Sequence, residues 1–120
     1  MPKLPKHYVE FMEKYPRVAD AYDRFGRACH LAGPLDTRTR ALVKLGIAIG
    51  GRLEGGLHAQ IRKALDAGVT PDEIRHVALL ALPTIGFPAS MAALSWVEDL
   101  LGRSLARRKG RGKNSRAKSR

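Results

Sequence analysis

Cysteine is nearly absent: Cys29 stands alone in 120 residues. Without a second thiol, an intrachain disulfide, a CxxC redox pair and a cysteine-rich zinc site are all excluded. Long apolar runs are missing too. No stretch approaches the roughly 18 uninterrupted apolar residues of a membrane span, and the start, Met1-Pro2-Lys3-Leu4-Pro5-Lys6, lacks the apolar stretch of a secretory signal. No membrane partner and a cytoplasmic location are the expectation. Strict alternation of β-branched with polar residues is not found, so strands are not expected. Gly50-Gly51 and Gly55-Gly56 have no preceding strand and no following Gly-Lys-Ser/Thr, which excludes a phosphate-binding loop.

Acidic residues are scarce, 11 against 22 Lys and Arg, for a net charge of +11. That excess is local. Residues 103–120 hold nine of the basic side chains and no acidic one, which leaves residues 1–102 at +2. The chain therefore divides into a nearly neutral body, 1–102, and a basic tail, 103–120. Arg, Lys, Gly, Ser and Asn in that tail bury too little apolar surface to offset their ordering entropy, so disorder is expected there apart from a continuation of the last helix. Lacking aromatic side chains for base stacking, it is suited only to nonspecific, salt-sensitive contact with nucleic acid or an acidic partner.

What the body contains is helical periodicity, with apolar residues recurring at three and four. A first helix is expected around Tyr8 to Tyr15, ending at Pro16, and a second from about Arg17 to Ala32 with Val18, Ala21, Tyr22, Phe25 and Cys29 on one side. Asp36 caps a third, Thr37 to Ile49, closed by Gly50-Gly51. The fourth runs from Leu53 to Ala67 and ends at Gly68, a natural residue beyond a helix C-terminus. Thr70-Pro71-Asp72-Glu73 spells a reciprocal capping box, so a fifth helix starts at Pro71. Val77 to Leu82 is apolar all round and requires cover on every side. Gly86-Phe87-Pro88 breaks the run before a sixth helix, Ala89 to Leu101. So much apolar surface on a chain of this size implies association with further copies. The fold class is all-α, about six helices.

Glu54 and His58 lie four apart on the fourth helix, hence on one face, where the carboxylate is expected to hold one ring nitrogen and leave the other free. His58 borders the stripe of Leu57, Ile61, Ala64 and Leu65 and is expected to be half buried. The remaining titratable groups read as ordinary structure: Cys29 as a small filler, His7 and His30 as structural, His76 as a polar residue of the fifth helix, Arg38, Arg40 and Lys44 as a solvated face, and Trp96 as core or interface.

Leu35-Asp36-Thr37-Arg38-Thr39-Arg40, then Glu54-Gly55-Gly56-Leu57-His58, then Ala64-Leu65-Asp66-Ala67-Gly68-Val69-Thr70-Pro71-Asp72-Glu73-Ile74, continued by Gly86-Phe87-Pro88, together resemble the carboxymuconolactone decarboxylase and alkyl hydroperoxidase D-like family over roughly residues 33–102. The resemblance implies a compact helical bundle of the alkyl hydroperoxidase D-like type, assembled as a trimer or hexamer. Aligning the family's histidine on His58 places the two cysteines of the peroxidase branch at Gly51 and Glu54, and its relay glutamate at Ala41. Thiol peroxidase chemistry, which needs an attacking thiolate and a resolving thiol, is therefore disfavoured.

The decarboxylase branch works without redox cysteines, and the resemblance then implies acid–base, lyase-type chemistry on a small anionic substrate, with no cofactor or metal. His58 would be the acid and Glu54 its partner, with Arg52 and Arg40 as anchors for the substrate. The rival expectation is a non-catalytic helical scaffold whose relay has been lost at Ala41.

Overall fold

The computed structural model describes residues 6–111, with side chains over residues 6–102. Within them lie α1 (Lys6–Lys14), α2 (Pro16–Leu31), α3 (Thr37–Gly50), α4 (Glu54–Asp66), α5 (Pro71–Leu80), the single turn α6 (Leu82–Ile85) and α7 (Phe87–Arg111). No strand occurs among the described residues, and none of their helices is long and apolar enough to cross a membrane. The all-α expectation holds, as does the count of six helices apart from the single turn.

Local chemistry explains where the helices begin. Asp36 accepts a hydrogen bond from the Thr39 backbone N–H at 2.7 Å and caps α3. At α5 the capping box is complete: Thr70 Oγ1 accepts from the Glu73 N–H at 3.1 Å, and Glu73 accepts from the Thr70 N–H at 2.9 Å. Replacing Thr70 by alanine is expected to lower stability by about 1 kcal/mol in urea titration. An unchanged midpoint would show that the box contributes nothing. Two prolines lie inside helices rather than between them. Pro16 opens α2 rather than merely closing the helix before it, and α7 begins at Phe87 with Pro88 in its first turn, because the missing N–H is free to be absent there.

Helix ends hold one confirmation and one correction. Gly68, at φ +88°, ends α4 in a Schellman turn, with the Val69 N–H donating to Ala64 O at 2.9 Å and the Gly68 N–H to Leu65 O at 3.1 Å. The same pair of bonds ends α3, from Leu53 to Ala48 at 3.0 Å and from Arg52 to Ile49 at 3.1 Å. Here the left-handed residue is Arg52, at φ +54°, whereas Gly51 stays right-handed. The glycines of Gly50-Gly51 do not supply the reversal.

The core belongs to four helices. Leu45 and Ile49 of α3, Leu57 and Ile61 of α4, Ile74 of α5, and Val97 and Leu101 of α7 are all buried in one cluster, joined by Val69. Arg38 ties α3 to α5 through Glu73, and Arg75 ties α5 to α7 through Glu98 at 2.6 Å. By contrast α1 and α2 bury no side chain fully, and Tyr22 and Phe25 are 68% and 66% exposed. Leu79 and Leu80, on the segment expected to need cover all round, stand about half open. α7 carries the backbone into the basic segment as far as Arg111. Over residues 103–111 the last helix thus continues where the tail begins; side chains from residue 103 onward, all of residues 112–120, and with them the remaining expectations for the tail, lie outside the described residues.

Candidate functional site

His58 sits on α4, whose buried stripe Leu57, Ile61 and Ala64 presses into the four-helix core. The imidazole is partly buried, as its border position implies, and its Nε2 atom is sealed from solvent without a hydrogen-bond partner. A buried polar atom left unsatisfied costs roughly 1–3 kcal/mol. Such atoms call for an explanation, and one explanation is a ligand or a proton in transit.

Glu54 does not provide the partner. The expected hydrogen bond between Glu54 and His58 is not made: Glu54 is exposed as the first residue of α4, while the ring turns Nε2 inward. Helical spacing brings two side chains to one face but leaves their rotamers free. Arg52 lies in the turn just before α4, exposed, in a left-handed conformation that costs a residue with a side chain roughly 1–2 kcal/mol. No side chain caps the α4 N-terminus, so the N–H groups of Glu54, Gly55 and Gly56 stay open beside Arg52. An added Cβ at Gly55 would meet nothing within 4 Å, which leaves room over that first turn.

Arg40 belongs elsewhere. Its guanidinium donates to Leu35 O at 2.6 Å and Thr37 Oγ1 at 3.2 Å, and it lines a small cavity of about 80 Å³ with His30, Lys44, Gln60 and Lys63. On α4, Gln60 lies two residues from His58, roughly 160° around the helix. The expectation that Arg40 serves the His58 site is therefore corrected, because α3 presents it to the opposite flank of α4.

That second cluster escaped the sequence reading. Lys44 Nζ lies 2.8 Å from His30 Nε2, so the ammonium donates to a neutral imidazole. Loss of solvent contact, followed by the charges of Lys44, Arg40 and Lys63, holds His30 below its ordinary 6.5. Desolvation, followed by the charges of Lys63 and Arg40, likewise lowers Lys44. The sign of the consequence is fixed: as pH falls through 6.5 the unfolded chain takes up a proton that folded His30 still resists, so folding stability declines on acidification. A His30→Gln variant is expected to lose part of the fall in melting temperature between pH 7.5 and pH 5. Parallel curves for the two proteins would refute this. The signal missed in the sequence was the pairing of two residues 14 apart, on different helices.

Among the described residues no three His, Cys, Asp or Glu side chains gather as a metal-holding group. The sequence model of the carboxymuconolactone decarboxylase family matches residues 16–99, a span that reaches back to the start of α2. An uncharacterized protein of Methanocaldococcus jannaschii is 30% identical over 89 residues, which cover 73% of this chain and 86% of that protein. No solved structure matches the chain.

Proposed function

Because this chain belongs to the carboxymuconolactone decarboxylase family, we propose that it performs acid–base, decarboxylase- or lyase-type chemistry on a small anionic molecule, with His58 as the proton-transferring group. The observation that carries this reading is the buried, unpartnered Nε2 of His58. In the decarboxylation of a β,γ-unsaturated acid, a proton arrives at the γ carbon, the double bond shifts, and the bond to the carboxylate breaks with release of carbon dioxide. An imidazolium with one nitrogen sheltered from water is suited to deliver that proton. Arg52 and the open N–H groups at the start of α4 would hold the substrate carboxylate. Glu54, in the first turn, would exchange protons between the site and water rather than fix the ring.

Thiol peroxidase chemistry is not proposed, since Gly51 and Glu54 stand at the two thiol positions. Association with further copies, as a trimer or hexamer, is part of the reading. It is supported by α1 and α2, which bury no side chain fully within the single chain. The same observation favours the second reading, a non-catalytic helical scaffold.

Release of carbon dioxide from carboxymuconolactone and related unsaturated lactone acids separates the two. The intact protein is expected to turn over at least one of them, and a His58→Ala variant none. Turnover by His58→Ala at the native rate would remove His58 from the chemistry, and no turnover of any such acid by the intact protein would leave the scaffold.

A further inference from the structure

The flank of α4 opposite His58 carries an arrangement that the acid–base reading does not use. Arg40, Lys44 and Lys63 converge on the small cavity described above, and none of them forms an ion pair among the described residues. Asp36 lies close enough to act on Arg40, but no carboxylate pairs with any of the three; cations so gathered repel one another, an arrangement that an incoming anion relieves. Two of them are also held in place. Arg40 is fixed by Leu35 O and Thr37 Oγ1, and Lys44 by His30. A larger cavity of about 360 Å³ adjoins it, sharing His30, Arg40 and Lys44. Its remaining wall is mainly apolar, formed by Tyr22, Phe25, Leu35 and Val43, with the exposed Cys29 at its side. That volume lies in the range of small-molecule sites.

We infer that this double cavity between α2, α3 and α4 binds an organic anion with an apolar body, its carboxylate among Arg40, Lys44 and Lys63 and its body against Tyr22, Phe25 and Val43. Each half accounts for one part of the ligand. A compact inorganic anion would leave the apolar wall unused, and a neutral hydrocarbon would leave the three cations uncompensated. His30, neutral and accepting from Lys44, keeps that ammonium pointed at the shared wall without adding a fourth charge.

Octanoate, octanol and inorganic phosphate, titrated separately into the full chain by calorimetry, test the assignment. Octanoate is expected to bind saturably and to slow alkylation of Cys29, whereas octanol and phosphate bind roughly tenfold more weakly or less. Lys44→Met and Lys63→Gln should each weaken octanoate binding by roughly tenfold with unchanged circular dichroism. Lys63 is an exposed side chain with no hydrogen bond to lose, so its variant keeps the fold. Octanoate affinity unaltered in both variants, octanol binding as tightly as octanoate, or phosphate equalling it would each overturn the inference. So would a Cys29 already unreactive in the unliganded protein, the result expected if another copy of the chain fills the groove.

Discussion

Replacing His58 by leucine is expected to abolish turnover and, in the same protein, to raise the melting temperature. In the native chain Nε2 is buried without a partner, a state that costs roughly 1–3 kcal/mol relative to a satisfied or solvated nitrogen. Leucine removes the polar atom while keeping most of the volume, and swaps of similar volume cost under about 1.5 kcal/mol. The balance is a gain of about 1 kcal/mol, or roughly 4 °C for a chain of this size. His58→Ala loses turnover equally but opens a void, so its melting temperature should fall.

The pair of variants separates chemistry from packing. A site kept for function holds an atom that stability alone would discard, and removing it trades activity for stability. Should His58→Leu melt below the native protein, the ring nitrogen has a structural partner in solution. The acid–base proposal then loses the observation on which it rests.

Truncating Ile61 to alanine is expected to destabilise the chain by about 2–5 kcal/mol, with the melting temperature lowered by roughly 10–20 °C. Ile61 is fully buried on α4, inside a core supplied by α3, α4, α5 and α7 alone. Domains of this size hold only about 5–15 kcal/mol of net stability, so one such cavity removes a large share. α1 and α2 offer no reserve, because they bury no side chain fully against that core in the single chain. Urea titration reads the effect directly, and a loss below 1 kcal/mol would mean that the core collapses around the gap. Val18, on α2 and 54% exposed, gives the contrast. Its truncation should change a monomer by no more than about 0.5 kcal/mol, so a large loss there would reveal a partner surface.

Much of the architecture was legible because it is encoded locally. The capping box at Thr70, the cap at Asp36 and the left-handed Gly68 each depend on residues within one turn, and each is found where the chain spells it. The inward residues Leu57, Ile61 and Ala64 follow from a period of 3.6 on a helix whose neighbours need not be known. The reversal at Arg52 was not legible, since two glycines beside it offered easier candidates. Neither was the ion pair of Arg38 with Glu73, 35 residues apart, which turned an expected solvated side chain into a tie between helix starts.

The candidate site divides along the same line. Spacing alone established that His58 and Glu54 share a face and that the imidazole lies at the edge of the buried stripe. Whether the ring faces the carboxylate or the core is a choice between rotamers, made by the packing around α4, and that packing leaves Nε2 buried and alone. Composition and periodicity by themselves determined an all-α chain with a cysteine-poor, non-dithiol chemistry. Only the tertiary structure decided that Arg40 joins His30, Lys44 and Lys63 on the far flank of α4, because side chains distant along the chain meet only once helices have docked.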